Sequence, residues 1–462
     1  MIRNLAAMVP LMVALASCMT LAPEYRRPTP PVPEQWPITR ATEGAKATSL
    51  RWDSFYKDEK LQKVIKLALA NNKDLGVAVL KVERAAAAYR IQRAELFPAV
   101  DGSGALTKER VPANLSDSGG AYTSSQYSLS VGVTSWELDL FGRVRSLKDK
   151  ALNEYLATEQ AARSAKISLV AEVASAYLTL ATDRDRLKFA QSTLDAADAA
   201  YIIVKGRCKA GVSSELDLRE AQTVVDTARS GVVKNTRLIA LDRNTLNLLV
   251  GSIVSDDLLP DSLDRILLKA DLSAGIPSEV LLVRPDILDA EYQLKAANAN
   301  IGTARAAFFP SITLTGSVGT TSSELSNLFK AGSHIWAFTP KVSLPIFDAG
   351  SRSTELKVAK VDRDIYVKQY EKAIQTAFRE VTDALAERET LGDQATVQES
   401  LVQALQETYR LSEARYLRGV DTYLNLLVAA RSLYAAQENL ITARLAVQTN
   451  LATLYKVLGG GK

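Results

Sequence analysis

Apolar residues recur along this chain with two different periods. Between Leu187 and Val204 they fall at Leu187, Ala190, Leu194, Ala197, Tyr201 and Val204, with spacings of three and four. That is a heptad seam, and it predicts a helix that coils left-handedly against a neighbour. The helical pattern around it starts near Arg143 and runs to about Lys205, on the order of 60 residues, far beyond an ordinary globular helix. It breaks at Gly211, and a second helix is predicted to return from about Ser214 to Val250. The same plan recurs around Gly419. Beyond it Leu426, Leu433, Leu440, Val447 and Leu454 repeat every seven residues, with Ala429, Ala436 and Ala443 between them. Elsewhere the period is two. Tyr127, Leu129, Val131 and Val133 alternate with Gln126, Ser128, Ser130 and Thr134, which predicts a strand over Ser124 to Trp136. Asp101 to Lys108 is a weaker, Gly-rich partner strand, and Ile312, Leu314 and Val318, then Trp336, Phe338 and Val342, mark two more. Shorter helices are expected over Leu61 to Ala70 and Asp74 to Leu96, the latter closed by Phe97-Pro98.

The elements are used twice. Asp286, Arg305 and Pro310 follow Asp74, Arg93 and Pro98 by 212 residues. Gly350, Gly419 and Gly459 follow Gly142, Gly211 and Gly251 by 208, so the first strand pair has the longer loop. The unit is helix, strand, strand, very long helix, tight turn and long helix. The expected organisation is residues 1–17 as a signal peptide and 18–57 as an anchor and Pro-rich tether. A first repeat then spans 58–251, with strands about 99–110 and 124–136 and a hairpin about 143–250. Residues 252–283 form a connector or equatorial segment. A second repeat spans 284–459, with strands about 311–321 and 334–344 and a hairpin about 351–458. The fold class is mainly α with a β contribution, built by internal duplication.

Charge is nearly balanced, 56 basic residues against 52 acidic for a net of +4, which excludes the footprint of a nucleic-acid binder. The one histidine, His334, stands in a strand with no acidic or cysteine neighbour, so neither a histidine dyad nor a His-rich metal site is expected. The chain lacks G-x-S-x-G, a phosphate-cradling glycine loop and metal-ligand spacing, so no enzyme, cofactor or metal is expected. Gly459-Gly460-Gly461-Lys462 reads as a frayed helix end.

The first residues, MIRNLAAMVPLMVALASC, have a basic start at Arg3 and an apolar run from Leu5 to Ala16 too short to span a bilayer. Leu15-Ala16-Ser17-Cys18 resembles the lipobox of bacterial lipoproteins. The resemblance implies cleavage before Cys18 and covalent diacylglycerol and N-acyl (palmitoyl) chains on it. Met19, rather than Asp, follows, which favours the outer membrane. Six prolines, Pro23, Pro28, Pro30, Pro31, Pro33 and Pro37, make the next segment an extended tether. No other stretch has 18 uninterrupted apolar residues, so no transmembrane helix is expected after processing. With Cys18 modified, Cys208 has no disulfide partner and is expected to have no role.

Four amphipathic strands cannot close a barrel, for which eight is about the minimum. Either they form an ordinary sheet packed on helices, or several chains share one barrel, eight strands from a dimer or twelve from a trimer.

The lipobox Cys18, the Pro-rich start, WELDLFGRVRS (Trp136 to Ser146), RPDILDAEYQL (Arg284 to Leu294), ARAAFFPSITLTG (Ala304 to Gly316), LPIFDAGSR (Leu344 to Arg352), YEKAIQTAFREVTDAL (Tyr370 to Leu385) and RYLRGVDTYLNLL (Arg415 to Leu427) together resemble the TolC-like outer membrane factors. The match is nearest the OprM-type lipoprotein branch serving drug efflux pumps, and it covers essentially the whole mature chain. It implies a homotrimer with a 12-stranded transmembrane β-barrel and a long periplasmic α-helical barrel. The implied partners are a periplasmic adaptor and an inner-membrane transporter of the resistance-nodulation-division type, with the chain itself a passive duct in the outer membrane lipid. It further implies that the hairpin tips close the duct. Asp217 matches an acid that holds the closed state, Arg415 and Tyr416 match positions linking neighbouring hairpins, and Leu424 matches an apolar ring. Val428 departs from the pattern, which often has Asp there, and Asn425 stands where some members carry an acid. Glu220, 208 residues before Val428, could restore some negative charge. The double variant Tyr416→Phe with Asp217→Ala is expected to raise open probability. Two other readings remain: the outer membrane component of type I protein secretion, which would have the same fold, and a lipid-anchored coiled-coil scaffold, against which the alternating strands argue.

Overall fold

The computed structural model describes residues 20–37, 45–46, 50–117, 119–266, 268, 272–273 and 277–460. The expected signal peptide, Cys18, Met19 and the terminal Gly461 and Lys462 lie outside the described residues. The main elements are α1 (Glu59–Asn71), α2 (Lys73–Ala94), β1 (Val100–Val111), β2 (Tyr122–Glu137), α3 (Arg143–Lys209), α4 (Glu215–Val250), α5 (Pro285–Ala306), β3 (Ser311–Ser322), β4 (His334–Ser343), α6 (Ser351–Leu417) and α7 (Tyr423–Val457). Helices α3 and α6 each have 67 residues, about 100 Å at the usual rise. Helix α3 runs four residues past the Lys205 read from its pattern, because the turn that stops it sits at Gly211.

The chain forms two compact units. One draws on Met1–Thr29, Lys81–Glu159 and Asp289–Tyr370, the other on Pro30–Leu80, Gln160–Leu288 and Glu371–Lys462. The division does not follow the duplication, because each unit takes parts of both repeats.

The first unit holds one antiparallel sheet in the order β1-β2-β3-β4, so the two repeats meet at the β2–β3 pairing. That pairing is close. A Cβ on Gly132 would lie 2.4 Å from the Gly316 carbonyl oxygen, so only glycine fits. The register slips between Val133 and Trp136, where Ser135 has φ 51°. Every described sheet residue is exposed or half-exposed, and the outer edges of β1 and β4 are unpaired among the described residues. An ordinary sheet packed on helices would bury one face, and this one does not. His334 opens β4 on the exposed surface. The proline-rich start does more than tether. Glu291 of α5, 3% exposed at its side chain, accepts from Tyr25 Oη (3.1 Å) and Arg27 Nη2 (2.7 Å) and pairs with Lys295 (3.0 Å).

The second unit contains the largest core. Phe55, Tyr56, Leu61 and Ile65 meet Tyr177, Leu178 and Leu180 of α3, Leu246 and Val250 of α4, Val381 of α6 and Leu454 and Tyr455 of α7. Phe55 stacks on Tyr455 at 4.5 Å. The connector is bound to α3 through its backbone: Tyr177 Oη donates to Leu258 O, Arg184 to Pro260 O, and Asp185 accepts from Ser262 Oγ and the Leu263 amide. The buried Arg284 starts α5 by donating to Asp286 (2.6 Å), Glu380 (2.8 Å) and the Val457 carbonyl (2.8 Å). Helix α3 contains a stretch long and apolar enough to cross a membrane by length and composition, but more than half of that stretch is buried inside the fold.

Candidate functional site: the paired hairpin tips

Both hairpins turn in the same way. After α3 the Val212 amide donates to the Arg207 carbonyl (2.9 Å) and the Gly211 amide to Cys208 (3.0 Å). After α6 the Val420 amide donates to Arg415 (3.0 Å) and Gly419 to Tyr416 (3.0 Å). This is the Schellman ending, written twice at the 208-residue offset. It needs a left-handed residue, and Gly211 and Gly419 both have φ 74°.

The side chains differ. At the first tip Ser214 caps α4, accepting from the Asp217 amide (3.0 Å), while Asp217 Oδ2 accepts from the Ser214 amide (3.0 Å) and Ser213 Oγ (2.8 Å). That is a capping box with aspartate as its acid. Burial opposes the Asp217 charge, but these bonds and the nearby Arg207 guanidinium outweigh it and hold the carboxyl below the usual range. At the second tip Thr422 makes no side-chain cap. Asp421 serves instead, accepting from Asn425 Nδ2 (2.5 Å), the Thr422 amide (2.9 Å) and Arg415 Nε (3.1 Å), which together lower its carboxyl. Asn425 is the repeat counterpart of Asp217, so the acid has moved from the first turn of the returning helix to the residue before its cap.

The tips are joined by aromatic packing. Tyr416 (8% exposed) and Tyr423 (7%) sit in a cluster with Val204 and Ala221, bordered by Tyr201, Leu218 and Leu426. Their rings are 5.4 Å apart, and Arg207 of the first hairpin lies 5.0 Å from the Tyr416 ring centre. Burial, then Tyr416, Glu220, Tyr409 and Asp217, push the Tyr423 hydroxyl up to about 12. Glu220 is therefore close enough to act on Tyr423. The counterparts of Tyr416 and Tyr423 in the first repeat are Cys208 and Glu215, whose polar atoms lie 3.9 Å apart.

Of the residues expected at a gate, Tyr416 does bridge the two hairpins. Asp217 and Arg415 are engaged within their own tips instead: Asp217 caps α4, and Arg415 ties to Asp421. The Tyr416 link uses its ring rather than its hydroxyl, so phenylalanine would retain it. Leu424 and Val428, one helical turn apart, are each 54% exposed, and Asn425 beside them is exposed. Arg207, Asp421 and Tyr423 escaped the sequence reading. Arg207 was legible as the counterpart of Arg415, whereas Asp421 has only Ser213 as its counterpart and carried no signal. Cys18 lies outside the described residues. Among the described residues no group of three or more His, Cys, Asp or Glu side chains is placed to hold a metal.

The family model for outer membrane efflux protein matches residues 64–252 and 276–460. The chain belongs to the outer membrane efflux protein family. It is 46% identical over 467 residues to the probable efflux pump outer membrane protein TtgC of Pseudomonas putida, covering all of this chain and 96% of that one. The crystal structure of a membrane protein from Pseudomonas aeruginosa superposes with a TM-score of 0.90 at 41% identity, covering 96% of this chain and 100% of that one. The open-state MtrE outer membrane channel of Neisseria gonorrhoeae gives 0.87 at 39% identity, with 96% and 98% covered. The fold is that of the TolC-like channels, and the family is one of outer membrane transport conduits for efflux systems.

Proposed function

We propose that three copies of this chain form the outer membrane exit duct of a tripartite multidrug efflux pump. One observation carries the reading: a four-stranded sheet that, among the described residues, has no buried face and two unpaired edges. In water such edges invite uncontrolled pairing. In a closed barrel β1 of one copy pairs with β4 of the next, and three copies supply twelve strands. Membership of the efflux family and the amphipathic strands support the placement in lipid. The helical hairpins extend the duct into the periplasm, where an adaptor and an inner-membrane transporter of the resistance-nodulation-division type would dock. Diacylglycerol and N-acyl chains on Cys18 would anchor each copy. The tips are the gate, held shut by the Tyr416–Tyr423–Arg207 packing and by the caps at Asp217 and Asp421, with Leu424, Asn425 and Val428 facing the constriction. Three sets of contacts worth a few kcal/mol can keep a pore closed yet yield to docking.

The test joins a mass measurement of the detergent-solubilised protein to planar-bilayer conductance. A trimer with discrete conductance steps is expected, and a monomer without conductance would end the channel reading. Deletion should lower resistance to small toxic compounds. Loss of a secreted polypeptide with unchanged drug susceptibility would assign the duct to protein secretion instead. Mass spectrometry of the mature N-terminus, with Cys18→Ala as control, tests the anchor.

A further inference from the structure

Far from the tips, a polar cluster crosses the coiled-coil seam. Asp183 of α3 is 4% exposed and pairs with Arg186 (2.7 Å). Arg186 continues to the second hairpin, donating to Thr442 Oγ1 of α7 (2.8 Å) and lying 3.6 Å from Glu438. Asp242 of α4 faces Asp183 across the first hairpin, and its Oδ2 is buried with no hydrogen-bond partner among the described residues. Two facing carboxylates cannot bond to each other, since both only accept.

The duplication shows what this seam position requires. The counterpart of Asp242, 208 residues on, is Asn450. Asn450 is buried and donates its Nδ2 to the Ala384 carbonyl (2.9 Å) and to the Glu387 carboxylate (3.0 Å) of the helix it faces. In hairpin two this position donates a hydrogen across the hairpin, to residues whose first-repeat counterparts are Ala176 and Thr179. An asparagine always can, and an aspartate can only when protonated.

We propose that Asp242 and Asp183 share one proton, making a latch that closes hairpin one and, through Arg186, ties it to hairpin two. When the proton leaves to bulk water, two carboxylates face each other on α3 and α4. The Arg186 guanidinium is then claimed by Asp183 and Asp242 on one side and by Glu438 on the other. The charged groups acting on Asp242 are Asp183 and Arg186 of α3, and the α7 carboxylate of Glu438 reaches it through Arg186. Burial, then the Asp183 charge and its hydrogen bond, raise the Asp242 carboxyl to about 6, with Arg186 opposing. The sign follows. The native form holds the proton more tightly than the unfolded chain, whose Asp titrates near ~3.9. The stabilisation is complete below that value and is lost as pH rises to the native value, so the latch is closed in acid and loosened at neutral pH. Any link from the latch to channel opening rests on the channel reading above.

Infrared difference spectra of the purified full chain in detergent test the proton directly, without reference to conductance. The wild type should show a protonated carboxyl band lost between pH 5 and 7, absent in Asp242→Asn. Hydrogen exchange in α3 and α4 around the cluster, corrected for intrinsic rates, should quicken severalfold from pH 5 to 7 in the wild type, up to the roughly ninefold that a native value of about 6 allows over that interval. It should stay flat in Asp242→Asn, which places in hairpin one the residue hairpin two already carries. A band titrating at the ordinary aspartate value, or equal pH dependence in both proteins, overturns the proposal.

Discussion

The two hairpin tips share a backbone and differ in what that backbone is used for. Both end their long helices at a left-handed glycine with the same pair of hydrogen bonds. The first tip then spends its polar groups on itself: Ser213, Ser214 and Asp217 close a box over the start of α4, and Cys208 and Glu215 face each other across the turn. The second tip replaces Cys208 and Glu215 with Tyr416 and Tyr423, and these reach across to Arg207, Val204 and Ala221 of the first. Duplication thus supplied one stable turn twice, and divergence made one copy a self-contained cap and the other a bridge. The difference teaches where a closed state can be held. Local caps keep each tip folded, while the ring contacts oppose separation of the two hairpins at the tips.

The sharpest way to break this comparison is to truncate the bridge. Tyr416→Ala should cost about 3 kcal/mol of packing between the hairpins, as expected for emptying a buried aromatic site. Single-channel recordings should show markedly increased open probability. Cys208→Ala, the same position in the other repeat, should stay within about 0.5 kcal/mol of wild type. Equal effects of the two would show that the tips are not divided as described. Tyr416→Phe, which keeps the ring and its contact with Arg207, should resemble wild type, and Arg207→Gln should fall between, at about 1 kcal/mol.

The caps give the next contrast. Ser214→Ala removes a side-chain acceptor used by the Asp217 amide and should cost about 1 kcal/mol, read as faster hydrogen exchange in the first turn of α4. Thr422→Ala removes no cap bond and should leave the first turn of α7 unchanged.

Much of this was legible in the chain. The heptad seam, the breaks at Gly211 and Gly419 and the two-residue alternation at Tyr127 to Val133 each reflect a local periodicity, and local periods survive in a single sequence. The tight turn needed only a glycine at a fixed offset. Three features were not legible. The bulge at Ser135 arises from how β2 meets β3, a pairing between strands far apart in sequence. The role of Asp421 depends on side-chain geometry within one turn, which spacing does not encode. The reach of Arg207 to Tyr416 joins residues more than 200 positions apart. Asp217 was read as part of a gate by family likeness, whereas its capping box could have been read from the Ser-x-x-Asp spacing itself.

Acid should test whether the caps, rather than the rings, respond to protons. Asp217 and Asp421 both titrate below the ordinary carboxylate range. Their stabilisation is present above the unfolded value of ~3.9 and is lost as pH falls through the lowered native values. Both tips should therefore keep their exchange protection down to about pH 4 and lose it in stronger acid. Asp217→Asn should flatten that response at the first tip and leave the second intact.

A small energetic change with a large change in conduction is expected at Val428. It is half-exposed on the same face as Leu424, so Val428→Asp exchanges one solvent-facing side chain for another and should alter stability by no more than about 0.5 kcal/mol. In a trimer it would nonetheless place three carboxylates around one axis, and a ring of like charge in a narrow aqueous passage concentrates counter-ions. In the proposed channel the constriction would offer Leu424, Asn425 and Val428, with no carboxylate among them, while Glu220 acts on Tyr423. Wild-type current should thus be insensitive to millimolar divalent cations, and the Val428→Asp channel should become cation-preferring and blocked by them. A wild-type channel already blocked by divalent cations would show that Glu220 or another acid reaches the pore, and that the apolar face of the second tip does not line its narrowest point.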